Sequence, residues 1–236
     1  MLKSSDIDLV YLVKEEENNE ELRYSLRSLV NLPYRKVFIV GYKPSWVKNV
    51  NYIAIKQQAD RKYDNIQRMF LEVCSNPGIS DDFILMNDDF YAINKINRLP
   101  VMRRRLPIEH YIKIHKDKGF TSHYLRTMIE AADFLHNIGI KEVDSYEAHV
   151  PMVINKNKFL ELYGKYPIAN SPHRKTIYGN YYHLGGKRID NAKVVKDGAK
   201  FSTENIFLST TDNVFEGSEV RHFIVGRFPK KCKFER

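Results

Sequence analysis

Short apolar runs alternating with helical stretches organise the first 95 residues of the chain. "IDLVYLV", Ile7 to Val13, is continuous, β-branched and aromatic, which predicts a buried strand. "KEEENNEE" breaks that run. Leu22, Leu26 and Leu29 then recur at i, i+4 and i+7, the spacing of an amphipathic helix, with Glu20 and Glu21 in its first turn. "RKVFIVG" predicts a second strand ending at Gly41, and "VNYIAI" a third, weaker one. Ile66, Met69, Phe70 and Val73 follow helical spacing until "SNPG", Ser75 to Gly78, stops the helix. "FILM", Phe83 to Met86, is the fourth strand. Strands of this length separated by helices predict an α/β fold with a mostly parallel sheet flanked by helices.

Beyond residue 95 the pattern changes. Pro100, "RRRLP" and "HKDKG" read as loop or irregular structure. Thr121 to Asn137 predicts a helix. "HVPMVI" is strand-like, and Asn155 is placed to cap a helix through Tyr163. Pro167 to Gly186, rich in Gly, Pro, Tyr and His, reads as loop. No internal repeat or low-complexity tract is present.

No apolar run is long enough for a membrane span, and the first twenty residues are acidic and polar, unlike a signal peptide. Cys74 and Cys232 match no metal or disulfide spacing, so a reducing, cytoplasmic location is expected. The formal net charge of +9 leaves a polyanionic partner open. Residues 102–126 hold seven Lys or Arg against two acids, and residues 221–236 hold six against one. Tyr111, His115 and Phe120 interleave with the first cluster. Such clusters track a nucleic-acid backbone or form a solvated face.

The run "FILM" ends on Asn87, Asp88 and Asp89. In open α/β sheets, ligands bind outside the carboxyl ends of the strands. Two adjacent carboxylates repel, and a divalent cation removes that cost. Hard oxygen ligands suit Mg²⁺ or Mn²⁺, which also hold substrate phosphates. A simple turn is the competing reading.

"IDLVYLV", "NEELRYSLRSL", "RKVFIVGYKPSWV", "DNIQRMFLEV" and "DDFILMNDDF" come in an order that resembles the Stealth family of sugar-phosphate transferases. "EAHVPMVINKNKFLELYGKYP" is similar to that family's His-x-Pro block. Small phage-encoded glycosyltransferases look similar too. The resemblance covers roughly residues 6–95 and 145–167. The Trp-Val-Asp/Asn-Gly stretch usual after the family's first strand is replaced here by "YLVKEEENN".

The resemblance implies a GT-A-like, nucleotide-diphosphosugar transferase fold. Residues 1–98 would form the nucleotide-sugar-binding half, and residues 99–236 an irregular acceptor-side half of the same domain. It implies a metal at Asp89 and Asp88, with His149 as third ligand or base. Glu147 lies two residues before His149, so in an extended segment both would face one site. Asn65, Arg61 and Arg174 would contact the donor; a helix cap is the other reading of Asn65, and exposure that of Arg61. The segment "SPHRKTIYGNYYHLGG", with His173, Lys175 and Tyr178, would close over the donor or remain a surface loop.

The expected function is metal-dependent transfer of a sugar from a nucleotide-sugar donor, UDP-linked by preference, to an acceptor hydroxyl. A modified DNA base and a glycan are both open as acceptor. Stealth-type transfer of a sugar 1-phosphate to a glycan is the enzymatic alternative. A non-catalytic nucleic-acid-binding protein is the alternative of another class.

Overall fold

The computed structural model describes residues 6–58 and 62–236. The chain divides into two compact units. The larger takes the residues up to Leu99, with His149–Lys156 and Ala192–Arg236. The smaller takes Pro100–Ala148 and Asn157–Asn191. Among the described residues, no helix is long and apolar enough to cross a membrane.

The larger unit is built on a five-stranded sheet. Its strands are β1 (Asp8–Val13), β2 (Val37–Gly41), β3 (Asn51–Ala54), β4 (Asp82–Met86) and β7 (Met152–Asn155), in the order β3-β2-β1-β4-β7. The first four are mutually parallel, and β7 runs antiparallel to β4. Leu9, Val10, Tyr11 and Val13 are fully buried, as a central parallel strand requires. β3 is the exposed edge, which explains its weaker apolar pattern.

Helices α1 (Glu20–Ser28) and α2 (Lys62–Ser75) follow β1 and β3. A second sheet, β5-β10-β9, follows the acidic turn: β5 (Phe90–Ala92), β9 (Lys193–Val194) and β10 (Phe207–Thr210). Helices α7 (Asp212–Phe215) and α8 (Glu219–Arg227) pack on it through Phe215, Val220 and Ile224, against Tyr24 and Tyr91.

The smaller unit departs from the loop expectations. "RRRLP" contributes β6 (Met102–Arg104), which pairs in parallel with β8 (Lys187–Ile189). "HKDKG" ends α3 (Ile108–Asp117), and α4 (His123–Asn137) follows, capped by Ser122. Ile108 packs with Met128, Ala132 and Leu135. The apolar stripe of α3 is short and interrupted by charges, so its period is faint. α5 (Lys156–Lys165) starts directly after Asn155, whose amide donates to Asp82 at 2.9 Å.

Within the Gly- and Tyr-rich segment lies a helix, α6 (Arg174–Tyr181). Lys175 to Asn180 are all buried, so no polar face marks it in the sequence. A side chain at Gly179 would collide with the Tyr146 ring. Asn180 anchors the helix, accepting from Asp144 N–H at 2.9 Å and donating to Asp144 C=O at 2.7 Å.

Candidate functional site

Between β1 and β4 the strand order changes direction, and the loops at their carboxyl ends carry the chemistry-bearing side chains. β2 ends at Gly41 with φ +107°, where a Cβ would meet the Val13 carbonyl and Met69 Sδ. Only glycine allows that approach. Gln57 donates to Val13 C=O at 2.8 Å and accepts from Glu15 N–H at 3.2 Å, which fixes the start of the acidic loop. A cavity of about 310 Å³ opens here, lined by Glu15, Tyr42, Tyr52, Lys56 and Gln57 among others.

The acidic loop is ordered by Glu17. Its carboxylate accepts from Ser45 N–H at 2.9 Å and from Tyr42 OH at 2.5 Å, and its carbonyl accepts from Trp46 at 2.9 Å. Asn19 closes the loop. Its Oδ1 accepts from Leu22 N–H, capping α1, and its Nδ2 donates to Asp88 Oδ2 at 2.7 Å.

Asp89 is buried, and its Oδ2 accepts from Lys193 Nζ at 2.8 Å and from Ser209 Oγ at 2.7 Å. Beside it, Tyr91 OH and Thr210 Oγ1 lie 3.1 Å apart, and Thr210 donates to Glu21 Oε1 at 2.6 Å. Lys14 pairs with Asp212 at 2.9 Å. Glu21, Asp88, Asp89 and Asp212 thus outnumber Lys14 and Lys193. Burial, with the Asp89, Asp88 and Asp212 charges added, pushes the Glu21 carboxyl up to about 8. Burial first and Asp89 second raise Asp88 to about 6.

This surplus of negative charge on hard oxygens suits a divalent cation. Asp89 Oδ1 has no hydrogen bond among the described residues. Among the same residues, no three His, Cys, Asp or Glu side chains form a ligand group, so Asp88, Asp89 and His149 are not gathered as a closed trio.

The β4–β7 register pairs Leu85 with Met152, so the chain just before β7 reaches the same sheet edge as Asn87 to Asp89. His149 therefore lies on that edge, with φ +53°. That left-handed conformation corrects the extended segment expected for residues 147–149, so the same-side inference for Glu147 and His149 does not hold. Glu147 belongs to the smaller unit, where Lys175 Nζ stands 3.6 Å away and Thr176 N–H donates at 3.3 Å.

Asn65 lies within the first turn of α2. It accepts from Gln58 N–H at 3.0 Å, donates to Gln58 C=O at 2.7 Å and accepts from Arg68 at 3.1 Å. Its amide is thus committed to shaping the segment that lines the cavity. Arg61 lies outside the described residues. Arg174 opens α6 in the smaller unit.

No family model matches the chain, and no curated protein matches it in sequence. Solved structures do match. The galactosyltransferase LgtC, in complex with donor and acceptor sugar analogs, aligns over 96% of this chain and 98% of its own at 10% identity and a TM-score of 0.51. An active-site mutant of LgtC aligns over the same shares at 10% identity and a TM-score of 0.48. The fold is of the GT-A kind.

Asn19, Lys193 and Ser209 were not singled out in the sequence, and Glu21 only as a first-turn acid of α1. Asn19 carried a signal, being an N-cap residue ahead of two glutamates. Lys193 and Ser209 carried none, because they meet Asp89 only through β9 and β10.

Proposed function

We propose that the protein is a glycosyltransferase that takes a nucleotide-sugar donor and an acceptor hydroxyl. The observation that carries this reading is the placement of an aromatic-lined cavity and an acidic cluster on one edge of a GT-A-type sheet. Tyr42 and Tyr52 would stack on the nucleotide base, and Asn65 would act through Gln58 and its neighbour Gln57 to hold the cavity wall. Asp89 and Asp88 would hold a Mn²⁺ or Mg²⁺ ion. Such an ion supplies charge neutralisation on the departing diphosphate.

In the transfer, the bond from the sugar's anomeric carbon to the donor phosphate breaks. A bond from that carbon to the acceptor oxygen forms, and the acceptor hydroxyl gives up its proton. His149 would take that proton, since an imidazole titrates near neutral pH. Asn19 would keep Asp88 in place, and Lys193 and Ser209 would do the same for Asp89.

A glycan is the acceptor class we favour over DNA. Two arginines of the first basic cluster already meet carboxylates: Arg103 pairs with Asp144, and Arg105 with Asp190 at 2.9 Å. In the second cluster Arg221 pairs with Glu20 at 3.0 Å. The test is incubation with a panel of nucleotide sugars, Mn²⁺ and glycan or hydroxylated-base acceptors, read by mass spectrometry. A hexose added with release of nucleoside diphosphate supports the reading. A phosphohexose added with release of nucleoside monophosphate would replace it, and no product from any donor would end it.

A further inference from the structure

The three consecutive arginines of the smaller unit are not equivalent. Arg103, in β6, and Arg105, just past it, meet Asp144 and Asp190. Arg104 is half-buried, its guanidinium carbon lies 3.4 Å from the Tyr111 ring centroid, and it has no carboxylate in ion-pair range among the described residues. Its Nε is buried without a hydrogen bond.

Two histidines of the same unit share that property. His115 Nδ1 is buried without a hydrogen bond, and its ring lies 6.4 Å from Tyr124. His173 is 1% exposed, and its ring lies 4.5 Å from Tyr124. His173 Nε2 meets Tyr124 C=O at 3.1 Å, while its Nδ1 has no hydrogen bond. Glu147, an acid whose charge reaches Arg104, is already engaged by Lys175 and Thr176. An arginine taken partly out of water and left without an anion is costly, and a bound oxyanion removes that cost.

We propose that Arg104, with His115 beside it, forms an oxyanion subsite that receives a phosphate, sulfate or carboxylate group of a ligand. The planar guanidinium, stacked on Tyr111, is preorganised for two parallel hydrogen bonds to such a group. The subsite does not depend on the glycosyl-transfer reading, because occupancy is measurable without turnover. Two sources offer the same chemistry: the diphosphate of a nucleotide, or an acidic substituent on a second substrate.

The experiment follows the histidine side-chain resonances of the full chain by NMR during titration with inorganic phosphate, against chloride at matched ionic strength. A saturable phosphate shift is expected, weakened about tenfold or more in Arg104→Gln, as loss of a charge-assisted pair implies. Arg104→Lys should recover part of the affinity, and Arg105→Gln should leave it unchanged. UDP added in competition separates the sources. Displacement of phosphate by UDP, with weaker UDP binding in Arg104→Gln, assigns the subsite to a nucleotide. Phosphate binding that survives UDP assigns it to a second, acidic substrate. No saturable shift in the native chain, or equal phosphate affinity in native chain, Arg104→Gln and Arg104→Lys, overturns the proposal; should Arg104→Gln not fold, equal affinity in Arg104→Lys and an unchanged His115→Gln does so.

Discussion

Asn19 joins Asp88 to the start of α1: one end of its amide caps the helix at Leu22 N–H, and the other donates to Asp88 Oδ2 at 2.7 Å. A single side chain thus serves both a fold-forming and a site-forming bond, and two substitutions separate them. Asn19→Ala removes both and should cost about 1 kcal/mol or more from the lost cap. Asn19→Asp keeps the cap but sets a second carboxylate against Asp88. It should retain most of the melting temperature while lowering turnover more than tenfold. Thermal unfolding beside a turnover assay checks this; equal activity in Asn19→Asp and the native chain would remove Asp88 from the mechanism.

Asp89→Asn keeps an acceptor for Lys193 and Ser209 and removes one charge from the acidic cluster. Calorimetry with UDP, with and without Mn²⁺, should show tighter binding with the ion for the native chain and no such gain for the variant. A gain of equal size in both proteins would sink the metal role.

The Glu21 carboxyl gives a pH dependence with a definite sign. Its folded value, about 8, lies above its ordinary 4.5. Between those values the folded chain holds a proton that the unfolded chain releases, so this group makes stability fall as pH rises. Below that window both states are protonated and the group contributes nothing. Asp88, raised to about 6, adds a slope of the same sign lower in the range. Glu21→Gln should therefore raise the melting temperature at pH 8 and change it little at pH 4.5. An equal drop at both pH values would show that the group does not titrate this way.

Gly41 is the place where the β2 end lies against the Val13 carbonyl. Gly41→Ala faces both a φ of +107° and that contact. A loss of about 2–3 kcal/mol in denaturant unfolding is expected. Because Gln57 reaches the same carbonyl, UDP binding should weaken as well. An alanine variant with native stability would show that the loop shifts without cost.

The parallel sheet was legible because each of its strands announces itself locally. "FILM" is apolar without interruption, and so is "IDLVYLV" from Leu9 onward, as strands covered on both faces must be. The place of Asp88 and Asp89 just past the carboxyl end of a buried strand was legible for the same reason. The helix α6 was hidden because burial on nearly every side erases its period. The extended reading of Glu147 and His149 failed at one backbone angle, the positive φ of His149, which the sequence "EAHVP" does not signal. The partners of Asp89 were out of reach of any local pattern. Lys193 and Ser209 lie 104 and 120 residues further along the chain.

That separation has a consequence for how the protein is made. Synthesis delivers Asp88 and Asp89 at the tip of β4 long before the ammonium and hydroxyl groups that settle Asp89. Over that interval the growing chain carries Asp89 without the two donors that β9 and β10 later bring to it. A copy cut short after the smaller unit would keep every residue of the parallel strands but lack both donors to Asp89. The larger unit is in this sense completed by its later strands, and its acidic edge is the last part of it to be supplied with partners.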